Sequence, residues 1–252
     1  MTAVTETTPA VAFEHVTTVL SGRAVLDDLS FVIAPGESVG MLGKSGTGKS
    51  VTLKTIMGLM TPDAGRVFVE GDEVTDAPRD VLSEIRQRMG FLFQNAALFD
   101  SISVGENVAF PLRRHTECND SEIEEIVCAK LEQVGLEADY DKMPSQLSGG
   151  MKKRVGLARA MALDPSILLV DEPSAGLDPI TAAEIDALLC ELRDRHGTTL
   201  VVVTHNIPSA RKVARRLMVL DQGHIVAEGT AEALDQSDLP LVREFMKSKG
   251  SG

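Results

Sequence analysis

Residues 43–50 of the chain read Gly43-Lys44-Ser45-Gly46-Thr47-Gly48-Lys49-Ser50 and fit the phosphate-binding pattern G-x-x-x-x-G-K-[ST]. In such a loop, successive backbone N–H groups surround phosphate groups, and the lysine adds a positive charge. An apolar strand, Ser38–Leu42, precedes the loop, and a helix from Ser50 to Leu59 is predicted after it. The start of that helix carries about half a positive charge, which favours a bound anion. This strand–loop–helix unit therefore predicts a phosphate-binding site.

Short apolar segments alternate with longer helical ones outward from this loop, which is typical of an α/β fold with a mainly parallel sheet. Met89–Phe93, Ile167–Val170 and Thr199–Val203 are apolar throughout, as expected of strands that are buried on both faces. Leu217–Leu220 and His224–Ala227 flank Asp221-Gln222-Gly223, which predicts a hairpin.

Several strands crowd into the chain before the first long helix and indicate an additional antiparallel β subdomain. They are Ala12–Leu20, Leu29–Ile33, Ser38–Leu42 and Arg66–Glu70. No strand is predicted between Ser101 and Asp164. We therefore predict one domain over residues 1–252. Its core, which carries the phosphate-binding loop, comprises about 11–94 and 161–246, and a helical subdomain comprises about 95–160.

Two helix starts are predicted from capping boxes, in which a Ser or Thr and a Glu three residues later satisfy the first backbone N–H groups. Ser121-x-x-Glu124 opens a helix to about Val134, and Thr181-x-x-Glu184 opens another. A helix over Lys152–Ala162 is also expected.

Composition excludes some classes of protein. The chain has 252 residues, 43% of them hydrophobic and 25% charged, which is typical of a globular protein. A net charge of −12 argues against general nucleic-acid binding. The three cysteines, Cys118, Cys128 and Cys190, form no C-x-x-C pair, so neither a disulfide framework nor a zinc site is indicated. No apolar run is long enough to span a bilayer, so we expect any membrane role to come through a partner.

Asp171 and Glu172 follow the apolar strand that begins at Ile167. Two adjacent carboxylates repel each other unless a cation or a reacting group uses them. Asp171 can hold Mg²⁺ through water, and Glu172 can polarise an attacking water as a general base. A strand that simply meets an acidic turn is the alternative reading.

A second motif, Leu147-Ser148-Gly149-Gly150-Met151, lies upstream of this strand and precedes a predicted helix. Together the motifs resemble those of the ATP-binding cassette ATPases of ABC transporters, over about residues 13–245 and in the family's order. The resemblance implies an α/β P-loop fold with an ABC-type helical insertion, hydrolysis of ATP, and Mg²⁺ as cofactor. It identifies Leu147–Met151 with the family signature LSGGQ, with Met in place of Gln.

The resemblance also assigns roles residue by residue. Lys49 reaches the β- and γ-phosphates. Glu172, His205 and Gln94 are the catalytic residues, with His205 as the switch histidine and Gln94 as the Q-loop residue. The metal ligands are Ser50, Gln94 and Asp171. The nucleotide-binding residues are Gly43, Lys44, Ser45, Gly46, Thr47, Gly48, Lys49, Ser50, Val51, Ser148, Gly149, Gly150 and the D-loop residue Asp178.

In this family two ATPase subunits enclose two ATP molecules head to tail, so the resemblance implies a homodimer. The aromatic residue that usually stacks on adenine is missing from Thr17–Gly22. Val19 or Leu20 is the candidate for an apolar contact instead.

Within the family, Gln94–Leu112, Met151 and Asp178–Thr181 resemble the ATPases of Mla/Mce-type phospholipid transport systems. This implies a multi-span permease, an MCE-type lipid-binding protein and a STAS-domain subunit as partners, and a position at the cytoplasmic side of the inner membrane. Phe99, Phe110 and Leu112 are candidates for the groove that binds the permease, and packing inside the helical subdomain is their alternative role.

Two other functions remain open from the sequence. One is the ATPase of a polar amino-acid importer, which the missing signature Gln and the missing aromatic disfavour. The other is an ABC ATPase without a transporter, acting on proteins or nucleic acid, which the single cassette and the acidic composition disfavour.

Overall fold

The computed structural model describes residues 8–247, apart from the side chains of residues 195 and 196, and places them in two β-sheets and nine α-helices. The strands are β1 (Val11–Leu20), β2 (Arg23–Ile33), β3 (Ser38–Leu42), β4 (Ala64–Val69), β5 (Asp72–Glu73), β6 (Met89–Leu92), β7 (Ile167–Asp171), β8 (Thr199–Thr204), β9 (Arg216–Asp221) and β10 (His224–Gly229). The helices are α1 (Lys49–Ile56), α2 (Arg79–Gln87), α3 (Val104–His115), α4 (Asp120–Gln133), α5 (Gly149–Ala160), α6 (Pro179–His196), α7 (Ile207–Val213), α8 (Ala231–Asp235) and α9 (Pro240–Lys247).

The larger sheet has six strands in the order β10-β9-β3-β8-β7-β6. Strands β9, β3, β8, β7 and β6 run parallel, and β10 is antiparallel to β9. Every residue of β3, β6, β7 and β8 is buried, as their continuous apolar sequence predicts. Leu42 pairs with Thr204 and Asp171 with Val203, so the carboxyl ends of β3, β8 and β7 meet at one edge. Ligands bind at this edge in open parallel sheets.

The smaller sheet is antiparallel, in the order β2-β1-β4-β5. Phe13 of β1 and Phe31 of β2 stack with their ring centroids 4.5 Å apart. They share one buried cluster with Met41 of β3 and Leu53 of α1, so this sheet packs against the phosphate loop's strand and helix. The predicted antiparallel subdomain is confirmed, except that Ser38–Leu42, which was grouped with its strands, is β3 of the parallel sheet.

Helices α3, α4 and α5 lie between β6 and β7 in the chain, and residues 101–164 contain no strand, as predicted. Their apolar faces form a cluster that includes Val108, Val127 and Val155 and extends to Leu168 of β7. The helical part is therefore packed directly onto the strand that carries the paired carboxylates. The division into core and helical subdomain stays a prediction.

Both predicted capping boxes are wrong in position. Helix α4 is capped two residues earlier than expected, where Asn119 accepts from the N–H groups of Ser121 and Glu122. Helix α6 is capped by Asp178 rather than Thr181. Asn and Asp side chains accept hydrogen bonds from the N–H groups two and three residues further along the chain. Asn119 and Asp178 therefore begin these helices before the predicted Ser121 and Thr181.

Helix α5 also begins earlier than predicted, at Gly149 rather than Lys152. Ser148 is its N-cap and accepts a hydrogen bond of 3.2 Å from the Met151 N–H. The two glycines of the signature are therefore the first turn of the helix, and not a loop before it. Among residues 8–247, no helix is both long and apolar enough to cross a membrane.

Candidate nucleotide-hydrolysis site

The phosphate loop connects β3 to α1 and depends on glycines at two close approaches. A Cβ atom at Gly48 would lie 2.7 Å from the Val25 carbonyl oxygen, and Gly48 has a φ of 106°, in the left-handed region. A Cβ atom at Gly43 would lie 2.5 Å from the Leu220 carbonyl oxygen. The pattern's glycines are thus required by the backbones of β2 and β9, which press against the loop.

Lys49 is buried at the start of α1. Its ammonium donates to the carbonyl oxygens of Gly43, at 2.8 Å, and Lys44, at 3.0 Å, and so lies inside the loop. Burial lowers the pKa of Lys49, while the nearby Glu172 and Asp171 raise it. A bound phosphate would add negative charge beside this ammonium.

Ser50 and Asp171 meet at the sheet edge, where the Ser50 hydroxyl donates to Asp171 Oδ1 at 2.9 Å. Burial raises the pKa of Asp171; the hydrogen bond from Ser50 opposes this, and the Glu172 charge adds to it. A cation at this position would stabilise the carboxylate. Hydroxyl and carboxylate oxygens are the ligands that Mg²⁺ uses together with phosphates and water. No group of three or more His, Cys, Asp or Glu that could hold a metal is found among residues 8–247.

Glu172 is buried, with 8% of its surface exposed, and both of its carboxylate oxygens have partners. Its Oε1 lies 2.9 Å from His205 Nδ1, and its Oε2 accepts from the Thr204 hydroxyl at 3.0 Å. Its backbone φ is 47°, which is unusual for a residue with a side chain. The strand ends of β7 and β8 therefore bring the predicted general base and the predicted switch histidine together.

The remaining predicted residues lie apart from these contacts. Gln94 is exposed two residues beyond the end of β6, and none of the hydrogen bonds described for residues 8–247 involves its side chain. Ser148 and Gly149 are exposed at the start of α5. The Asp178 carboxylate caps α6 by accepting from the Ile180 and Thr181 N–H groups.

Sequence reasoning missed two residues that contact Glu172. Thr204 holds its carboxylate, and the Lys153 ammonium donates to its carbonyl oxygen at 2.9 Å. The position of Thr204 directly before His205 was a readable signal, because both sit at the predicted end of a strand. Lys153 carried no such signal, because its partner is a main-chain carbonyl oxygen.

The edge where adenine is expected has exposed aliphatic side chains. Val19 is 41% exposed and Leu20 is 40% exposed, both at the end of β1. Either side chain is accessible to an apolar ligand surface.

A groove beside α3 is lined by Phe99 and Phe110, whose ring centroids lie 4.8 Å apart. Both rings are exposed, and the Arg159 guanidinium lies 5.9 Å from the Phe99 ring centroid. Leu112, the third residue predicted for this groove, is 2% exposed and packs inside the helical cluster. Its prediction as a groove residue is therefore wrong.

Comparison with known proteins adds independent findings. The sequence pattern of the family described as ABC transporter matches residues 26–175. The probable ribonucleotide transport ATP-binding protein mkl of Mycobacterium leprae is 42% identical over 243 residues, covering 96% of this chain and 70% of that protein. The protein of the same name from Mycobacterium tuberculosis is 44% identical, and the chain spans 64% of its length.

The intermembrane phospholipid transport system ATP-binding protein MlaF of Escherichia coli is 40% identical over 230 residues, which cover 91% of this chain and 86% of MlaF. Among solved structures, an ATP-binding cassette in a dimeric, post-hydrolysis state bound to ADP and Pi superposes with a TM-score of 0.81. It is 34% identical, and the match covers 87% of this chain and 98% of that one.

The fold, with its antiparallel sheet beside a parallel core, is that of an ATP-hydrolysing nucleotide-binding cassette. The chain belongs to the ABC transporter family. It is an ATPase of that family, which confirms the resemblance drawn from its motifs.

Proposed function

We propose that this ATPase is the motor subunit of an ABC transporter that moves phospholipids between membranes. The observation that carries the proposal is the 40% identity to MlaF over 86% of that protein's length, in a chain whose strand ends assemble Ser50 with Asp171 and Glu172 with His205.

In the proposed reaction, Lys49 and the first N–H groups of α1 bind the phosphates of ATP. Ser50 and Asp171, with Gln94 as a further ligand, would hold Mg²⁺, which when bound neutralises charge on the phosphates. Glu172 orients and deprotonates the attacking water. His205 holds Glu172 through Nδ1, which leaves its other ring nitrogen for the γ-phosphate. Phosphoryl transfer requires positioning and charge stabilisation, and these residues supply both.

The proposal requires two copies of the chain. Ser148 and Gly149 are exposed at the start of α5, where free N–H groups can bind an anion. We propose that this surface closes the nucleotide site of a second copy, as the dimeric structural relatives suggest.

The exposed Phe99 and Phe110 pair is the proposed contact for a membrane-embedded permease. Two adjacent exposed aromatic rings in a groove provide the apolar anchors that protein interfaces use. Through that contact the chain would lie at the cytoplasmic side of the inner membrane. An MCE-type lipid-binding protein and a STAS-domain subunit are proposed as further partners by analogy with MlaF-type systems.

The names of the relatives point to two cargoes, phospholipid for MlaF and ribonucleotide for mkl. We favour phospholipid because the chain matches a larger share of MlaF and because residues 94–112 resemble that class. Ribonucleotide transport is the second candidate, and the higher identity to mkl is the observation that favours it.

The proposal is tested by purifying Glu172→Gln from native membranes in Mg-ATP and identifying the chains and small molecules that accompany it. The variant should retain ATP and so remain on its permease. Lys49→Ala, which should bind ATP more weakly, is the matched control. A permease with a lipid-binding protein and phospholipid supports the proposal. Enrichment of ribonucleotide transport activity or of an amino-acid permease contradicts the cargo, and absence of any membrane protein contradicts the transporter.

A further inference from the structure

Lys153 lies on α5 and is 4% exposed, although a lysine is rarely buried without an acidic partner. Its ammonium forms one hydrogen bond, to the carbonyl oxygen of Glu172, at 2.9 Å. No carboxylate of residues 8–247 forms an ion pair with it. Asp171 and Glu172 lie close enough to influence its charge, and burial lowers its pKa to about 8. Burying an ammonium group whose hydrogen-bond partner is a main-chain carbonyl costs free energy, so we expect the contact to have a role.

The carbonyl oxygen belongs to a residue in the left-handed backbone region. Glu172 has a φ of 47°, and its carbonyl oxygen also accepts from the Ala175 N–H at 3.2 Å. On the other side of the residue, the Glu172 N–H donates to the Val203 carbonyl oxygen at 2.9 Å. Non-glycine residues stay in this conformation only when surrounding contacts fix it. Lys153 supplies such a contact from the helical part of the molecule.

We propose that Lys153 is a positioning residue that holds the Glu172 backbone in its left-handed conformation and ties the signature helix to the carboxylate of the same chain. This inference rests on the proposed role of Glu172 as the general base. Lys153 does not touch the reacting atoms, and it acts through the peptide group that sets the direction of the Glu172 side chain.

The contact also connects two sites. Ser148 lies five residues before Lys153 on the same helix, which is about 7.5 Å along the axis. If the start of α5 binds the nucleotide of a second copy, a shift of α5 moves Lys153 and with it the Glu172 peptide. Lys153 thus provides a direct path from the nucleotide contact of one subunit to that subunit's own catalytic carboxylate.

The experiment compares Lys153→Met with Lys153→Arg, which keeps N–H donors, and with Lys130→Met as a matched control. Lys130 is also a buried lysine of the helical part, but its ammonium pairs with Asp164, at the opposite ends of the strands from Asp171. ATPase rates of the full chain are expressed per ATP-binding site, counted by equilibrium binding, so that unfolded protein does not lower kcat.

For Lys153→Met we expect kcat to fall about 10- to 100-fold with the KM for ATP changed less than about two-fold. Lys153→Arg should recover most of the loss, and Lys130→Met should keep the parent kcat. A kcat for Lys153→Met within about two-fold of the parent overturns the inference, as does an equal fall in Lys130→Met. If Lys153→Met does not fold, Lys153→Leu, which also lacks an N–H donor, takes its place with the same criteria.

Glu172→Gln, measured in parallel, separates the two proposals. Turnover by Glu172→Gln at the parent rate would contradict the role of Glu172 itself. An inactive Glu172→Gln beside a fully active Lys153→Met would leave that role intact and refute only the role of Lys153.

Discussion

Two helices of this chain begin at an anion-binding sequence, and their surroundings differ. The start of α1 is enclosed: Gly48 and Lys49 are buried, and the backbones of β2 and β9 press against the loop. The start of α5 is open: Ser148 and Gly149 are exposed. Ser148 caps only its own helix.

The starts of α1 and α5 have similar local chemistry, but their surroundings make them different binding sites. Both starts offer free N–H groups and the positive end of a helix dipole. At the start of α1, Lys49 lies inside the loop and Ser50 donates to Asp171 of the same chain, and the start of α5 has neither arrangement among the described residues. In the proposed dimer, the start of α5 supplies one part of a nucleotide site and the second copy supplies the rest. The predictions that follow test this contrast.

The largest effect is expected for Glu172→Gln. Because a positioned general base contributes about 10²- to 10⁴-fold in rate, turnover should fall by that factor while ATP affinity is retained. The measurement is steady-state phosphate release beside equilibrium binding of ATP. Glu125→Gln, an exposed glutamate of α4, is the control and should behave as the parent. Steady hydrolysis by Glu172→Gln would contradict the role of Glu172 as the general base.

Lys49→Ala should weaken ATP binding at the enclosed start of α1. Losing a charged hydrogen-bond donor costs about 1.5–3 kcal/mol, so ATP affinity should fall about 10- to 100-fold in the isolated chain. Equilibrium binding of a fluorescent ATP analogue measures this. Lys247→Ala removes an exposed lysine from α9 and should leave affinity unchanged. Equal affinities for both variants would show that α1 binds phosphate without Lys49.

Ser148→Arg, at the open start of α5, should affect dimer formation and not ATP binding by the single chain. In the Glu172→Gln background we expect ATP-driven dimer formation to fall about 10-fold, because a charge is forced into the interface. ATP affinity of the single chain should stay within about two-fold. Sedimentation with and without ATP measures the dimer, and Ser145→Arg, an exposed position before α5, is the control. Loss of ATP binding by the single chain would contradict the contrast between the two helix starts.

Leu20→Tyr should give the smallest change, and in the opposite direction. An aromatic ring at this exposed position would stack on adenine for about 0.5–1.5 kcal/mol, which is about 2- to 10-fold in ATP affinity. Leu239→Tyr, another exposed leucine, is the control. If Leu20→Tyr binds ATP no better than the parent, adenine does not lie over the end of β1.

Much of the fold was readable because its signals are local. Continuous apolar runs identified β3, β6, β7 and β8, and the glycine pattern identified the loop between β3 and α1. Helix starts were harder, since Asn119 and Asp178 compete with the Ser and Thr that the capping pattern favours. The burial of Leu112 was available from spacing, because Val104, Val108 and Leu112 recur every four residues on one face.

The candidate site also has residues that could be predicted from the sequence and one that could not. Ser50, Asp171, Glu172 and His205 follow strands that the sequence predicts, so their meeting at one sheet edge could be expected. Lys153 could not be found in this way, because its partner is a peptide group in another element, and a main-chain acceptor leaves no trace in residue type.

The backbone of Glu172 also has a consequence for how far this protein can be stabilised. A left-handed conformation costs an ordinary residue about 1–2 kcal/mol, and glycine adopts it freely. Replacing Glu172 with Gly would relieve that cost, but it would also remove the contacts of the side chain with Thr204 and His205. If Glu172 is the general base, as proposed, this backbone strain remains in the folded chain because hydrolysis requires a carboxylate at position 172.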